Sequence, residues 1–198
     1  RYLLIPQFLK PTNGILLALF FLVCAIYSTK AAAQGPTSHG LFGYYAAIQF
    51  ENHVPHNLPN TSAMYAPFAS ATISDAQGAL QYYARPDRVY NRSHVLVESG
   101  EVVGHAQSYQ GAMLIPHMVL PSRHYLITNN VEFEFENTIY AGHYIHEIEQ
   151  TWAYPDGEIK ANKKNILFSD STGMRLTAVH HANGRDIWVI FAFQKPTP

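Results

Sequence analysis

Eleven histidines are spread through this 198-residue chain, and their spacing decides whether they could hold a metal. His143 and His146 are three apart, as are His53 and His56, while His180 adjoins His181. Residues three apart on a strand point to opposite faces, so neither spaced pair can share one ion unless its segment is helical. No His-Glu-x-x-His motif is present, because His146-Glu147 lacks the second histidine. The expectation is no metal and no cofactor, with the histidines on the surface or in hydrogen bonds. Asp75, Asp87 and Asp156 stand in turn-like segments that would suit a loop calcium site, but Asp-Gly turns arise mainly for backbone reasons.

Hydrolytic chemistry needs a nucleophile with its base, or a carboxylate pair. The chain has no Gly-x-Ser-x-Gly elbow. Glu132, Glu134 and Glu136 alternate with Val131, Phe133 and Phe135, which places three like charges on one strand face, a solvated face and not an acid/base pair. Ser74-Asp75-Ala76-Gln77-Gly78 faintly resembles the Asp-box turn of sialidase propellers without its Ser-x-Asp spacing, and such a turn is structural. Thirteen tyrosines raise the question of a sugar-stacking face around Tyr82, Tyr83, Tyr90 and Tyr109. Strand cores use tyrosine as readily, burying the ring and keeping a hydroxyl for a partner, and that reading is preferred.

Residues 15–27 form an apolar run between Lys10 and Ala31-Ala32-Ala33. Basic residue, short apolar core and small residues in this order are those of a secretory signal, and 13 residues are too few to span a bilayer comfortably. Residues 1–33 are therefore expected to be a signal peptide, cleaved before Gln34, with no membrane span after its removal and a secreted or outer-surface destination. A retained N-terminal anchor is the alternative. Cleavage removes Arg1, Lys10 and Lys30 and no acid, so ten Lys and Arg face fourteen Asp and Glu, for a net charge of −4. That balance argues against nucleic acid and against anionic membrane surfaces, which ask for clustered cations. Cys24, the only cysteine, leaves with the signal, so no disulfide or thiol chemistry remains.

From Leu41 onward, short segments rich in Tyr, Phe, Val and Ile alternate with turn signals, among them Asp75 to Gly78, Arg85 to Asp87, Pro155-Asp156-Gly157 and Asn183-Gly184. Turns at this density without a long 3.6-residue period indicate an all-β domain over residues 34–198. Leu176 to Val179 and Ile187 to Phe193 read as a hairpin, with Asn183-Gly184 supplying positive-φ residues for its turn. Ile187 to Phe193 is apolar at every position, so both faces of this strand are expected to be covered.

The stretch Leu176-Thr177-Ala178-Val179, then His180 or His181, Asn183-Gly184, Asp186 and Trp188 resembles a pattern in secreted, WD40-like β-propeller surface proteins of Bacteroidota-type bacteria. Phe42-Gly43, Ser74 to Leu80, Val89 to His94, Ile115-Pro116 and Tyr125 to Thr128 resemble further parts of it in order, so the likeness covers residues 40–193. Ala84-Arg85-Pro86-Asp87 and Glu98-Ser99-Gly100 depart from the family's turns. The resemblance implies antiparallel propeller blades. At ~40–45 residues per blade the chain would hold three to four, an incomplete fragment of a larger propeller. It further implies type IX secretion or gliding-associated surface display, and no catalytic set. Asp75, Gly78, Asn91, Asn183, Gly184 and Asp186 are then structural turn residues, and Trp188 a blade-core anchor. The function expected is an exported, non-enzymatic scaffold or binding protein for protein or glycan ligands. The alternative is an exported propeller-type glycan hydrolase or lyase whose active site lies partly outside these residues.

Overall fold

The computed structural model describes residues 35, 37–52, 54–59, 61–133, 138–170 and 172–193. The chain divides into two compact units, Arg1–Ala33 and Gln34–Pro198, and the described residues all belong to the second. The signal-peptide and cleavage-site expectations, Cys24, His53, Glu134 and Glu136 lie outside them, as does the side chain of Glu132.

All regular structure here is β apart from one 3-10 turn, Ala161–Lys163. The first sheet has the order β3-β2-β1-β4, from β1 (His39–Tyr44), β2 (Ala46–Glu51), β3 (Val54–Asn57) and β4 (Tyr65–Ala66). The second is a meander of β5 (Ala71–Ser74), β6 (Leu80–Arg85), β7 (Arg88–Asn91) and β8 (Leu96–Glu101). The third has the order β12-β11-β10-β9, from β9 (Ala112–Pro116), β10 (Arg123–Phe133), β11 (Thr138–Glu149) and β12 (Ile166–Ser169). A hairpin, β13 (Thr172–His180) with β14 (Ile187–Phe193), completes the described fold.

Strand alternation sorts the apolar side chains into three cores between four layers. On β6, Tyr83 joins Leu41, Ala47, Met64 and Ala66 on one side. Tyr82 and Ala84 turn the other way, to Val89, Leu126, Ile148 and Ile159. On β10, Leu126 faces the second sheet whereas Ile127 meets Ile115 and Leu176, with Ile187, Val189 and Phe191 of the hairpin packed alongside. Residues 157–159 tie the second and third sheets together, since Ile159 N donates to Glu98 O at 3.0 Å and Glu158 N to Glu149 O at 2.9 Å.

This arrangement corrects the propeller expectation. A propeller sets its blades round an axis and closes them into a ring, whereas the described residues form three four-stranded antiparallel sheets and one hairpin that do not close. The WD40-like architecture, the incomplete-propeller fragment and the type IX secretion route rested on that resemblance and fall with it; the all-β content stands. The two-sided burial expected of Ile187 to Phe193 also fails. Ile187, Val189 and Phe191 face the third sheet, but Trp188 is 58% exposed and Ile190 52% exposed on the opposite face. Its apolar run reflects a packed face and an open one.

Candidate functional site

Two of the surface features among the described residues bring exposed or accessible apolar groups together with polar ones on well-braced elements. The first begins at the loop joining β1 to β2. Phe42 pairs with Ala46, leaving Gly43, Tyr44 and Tyr45 to turn the chain, and Tyr45 takes a left-handed φ of 57°. Tyr45 N donates to Met64 O at 3.1 Å, and Tyr44 pairs with Tyr65 of β4. These backbone ties hold three tyrosine rings together. Tyr44 and Tyr65 meet edge to face with centroids 4.8 Å apart, and Tyr45 lies 6.3 Å from Tyr65. Tyr44 is 71% exposed, Tyr45 51% and Tyr65 40%. The Tyr65 phenol is held above its ordinary pKa, first by its hydrogen bond with Tyr44. Arg85 fastens the same strand from behind, donating from Nη1 to Tyr65 O at 2.9 Å while its guanidinium pairs with Asp87.

The second feature is a cleft of about 550 Å³ between the third sheet and the β13–β14 hairpin. Ile115, Tyr125, Ile127, Ile145, Ile187 and Val189 line it, and His117, Asn183, Arg185 and Asp186 add polar groups. His117 stacks on Tyr125 at 5.7 Å, and its Nδ1 accepts from the backbone N–H groups of Val119 and Leu120. Nδ1 therefore carries the lone pair, which places the ring proton on Nε2.

The turn residues singled out from the sequence are bracing groups. Asp75 Oδ1 accepts from Gln77 N and Ala79 N at 3.0 and 2.8 Å, and Gly78 has φ 86°. Asn91 repeats the device, its Oδ1 accepting from Ser93 N and Val95 N at 2.9 and 3.0 Å. Asn183 Oδ1 accepts from Arg185 N and Asp186 N, its Nδ2 donates to Asp186 Oδ2, and Gly184 has φ 66°. Trp188 differs from its expected role: its ring lies 5.5 Å from His181 on an exposed face.

The sugar-stacking face weighed around Tyr82, Tyr83, Tyr90 and Tyr109 is not assembled. Tyr82 and Tyr83 are fully buried, and burial pushes the Tyr82 phenol up to about 12. Tyr109 is exposed elsewhere, against Phe68. The exposed trio at Tyr44, Tyr45 and Tyr65 is a different set from that face. Its available signal was a pair of tyrosines directly after Gly43, where bulky residues occupy a turn.

His143 and His146 are both buried and have different partners: the first lies against Asn129 Nδ2, the second against Thr128 Oγ1 and Asn165 N. No group of three metal-ligating side chains occurs among the described residues. His39 Nδ1 lies 3.0 Å from Ser74 Oγ in the manner of a nucleophile and base, yet Ser74 is only 2% exposed and sealed from substrate. Glu147 and Glu149 share a strand face, with Arg123 and Lys160 on Glu149 and Arg123 and Lys163 on Glu147. Among the described residues, no helix is long and apolar enough to cross a membrane. Comparison with protein-family models, curated proteins and solved structures yields no match.

Proposed function

We propose that this chain is an exported, non-enzymatic binding protein, secreted or displayed on the outer cell surface, and that Tyr44, Tyr45 and Tyr65 take glycan. The observation that carries this reading is an exposed aromatic cluster fixed by backbone pairing on two strands. Sugar rings offer C–H faces to the electron-rich face of an aromatic ring and hydroxyls to a phenol, and tyrosine supplies both on one rigid side chain. Tyr45 adds a second argument. A bulky residue at φ 57° is an outlier that costs about 1–2 kcal/mol, and such strain is concentrated where a side chain has work to do.

The order of Lys10, apolar residues 15–27 and Ala31-Ala32-Ala33 supports export. The acidic balance after residue 33 supports a neutral ligand over nucleic acid. The sealed His39–Ser74 pair and the ion-paired Glu147 and Glu149 support binding over hydrolysis. Two experiments test the halves separately. Mass spectrometry of the protein from its native host reads the Ala33–Gln34 processing site, and a glycan array reads the ligand.

A further inference from the structure

We infer that the cleft between the third sheet and the β13–β14 hairpin is a second, independent binding site, for a small organic molecule with an apolar body and an acidic group. Its volume of about 550 Å³ lies within the range in which drug-sized ligands are largely enclosed. An apolar body fits the floor, where Ile127, Ile145, Ile187 and Val189 come from three different strands of two layers. That floor is continuous with the third core, so its side chains are held by packing and the site is preformed.

The acidic group follows from the donors. Arg185 forms no ion pair or hydrogen bond through its side chain among the described residues, so its guanidinium is free to meet an anion. His117 keeps Nε2–H as its donor because Nδ1 is committed to Val119 and Leu120. Among the described residues that line the cleft, Asp186 is the one carboxylate, and its Oδ2 accepts from Asn183 Nδ2 at 2.6 Å. Its charge is thereby tied to the turn, though it weakens the field of Arg185. The site therefore selects a single acidic group over a polyanion. Neither Tyr44 nor Tyr65 lines the cleft, so this inference stands or falls apart from glycan binding.

The test uses the full chain with isotope-labelled isoleucine methyl groups and two probes of the same shape, 2-naphthoate and neutral 2-naphthamide. Saturable shifts are expected at Ile115, Ile127, Ile145 and Ile187, with none at Ile190 on the outer face of β14. Naphthoate should bind more tightly than naphthamide. Arg185→Gln should weaken naphthoate about fivefold, as befits a partly exposed charge, and leave naphthamide unchanged. Because Arg185 is exposed and unpaired, this variant keeps the fold, which the unchanged Ile190 signal verifies. Equal affinity for the two probes, an indifferent Arg185→Gln variant, or shifts as large at Ile190 as in the cleft would each overturn the inference.

Discussion

Thr128 Oγ1 lies 2.9 Å from His146 Nε2 in the buried interior of the third sheet, and the contact fixes the histidine's proton. Asn165 N donates to His146 Nδ1, so Nε2–H must donate to Thr128, whose hydroxyl in turn donates to Val103 O. The ring is neutral, and burial lowers its pKa to about 4. His124 and His143 are also buried and lowered to about 4 by burial.

These histidines predict an acid-sensitive fold. Their folded pKa values lie below the ordinary 6.5, so their neutral forms cost nothing above pH 6.5, and stability is lost as pH falls from 6.5 toward 4. The loss should reach on the order of 3 kcal/mol for His146 alone at the lower limit. Urea midpoints between pH 7.5 and 5, above the carboxylate range, should fall steadily, and a flat profile would contradict the assignment. Thr128→Val should cost about 1–3 kcal/mol at pH 7.5 by stranding His146 Nε2–H and Val103 O.

Two glycines with similar backbone angles should respond very differently to alanine. Gly184, at φ 66°, has open space where a Cβ would stand, so Gly184→Ala should cost only about 1 kcal/mol of backbone strain. Gly142, at φ 76°, would place its Cβ 1.9 Å from Ser169 O, forcing β11 and β12 apart. That substitution should cost at least ~4 kcal/mol or prevent folding. Thermal melts of the pair decide this, and equal losses would show that the β11–β12 approach yields freely.

Trp188 tests the corrected view of the hairpin. Because its ring faces outward, Trp188→Ala should lower stability by about 1 kcal/mol or less, whereas Leu126→Ala in the central core should cost ~3–5 kcal/mol. Denaturant midpoints for the two variants supply the comparison. A loss at Trp188 as large as at Leu126 would mean that another surface covers this face.

Tyr45→Gly should raise stability by up to about 1 kcal/mol through relief of its left-handed strain, while glycan binding weakens. Opposite movements of unfolding midpoint and affinity would mark Tyr45 as kept for binding. Loss of both would make it a structural residue of the turn.

Turn chemistry was the most legible part of this fold, because its signals are local. Asp75, Asn91 and Asn183 each close a turn by accepting neighbouring backbone N–H groups, which depends on residue type and a spacing of two to four. The strands between these turns were legible for the same reason. The exposure of Trp188 is not legible in the sequence, because an unbroken apolar run does not say which of its faces another layer will cover. The propeller expectation failed on a non-local property as well, since ring closure depends on how whole sheets meet. Among the tyrosines, Tyr82 and Tyr83 lie buried on opposite faces of one central strand, and Tyr44 meets Tyr65 only through β1–β4 pairing across twenty residues. Sequence proximity carried neither fact.

A glycan array with the wild-type chain alongside Tyr44→Ala and Tyr65→Ala tests the central claim most directly. The rings stand at the surface, so both variants should keep their unfolding midpoints within about 1 kcal/mol of wild type. The account predicts binding by the wild type to a defined set of glycans and at least about tenfold weaker binding by each variant, the loss of ~1.4 kcal/mol expected from one stacked ring. Wild-type binding that survives both substitutions, or no binding to any glycan by the folded chain, would contradict it.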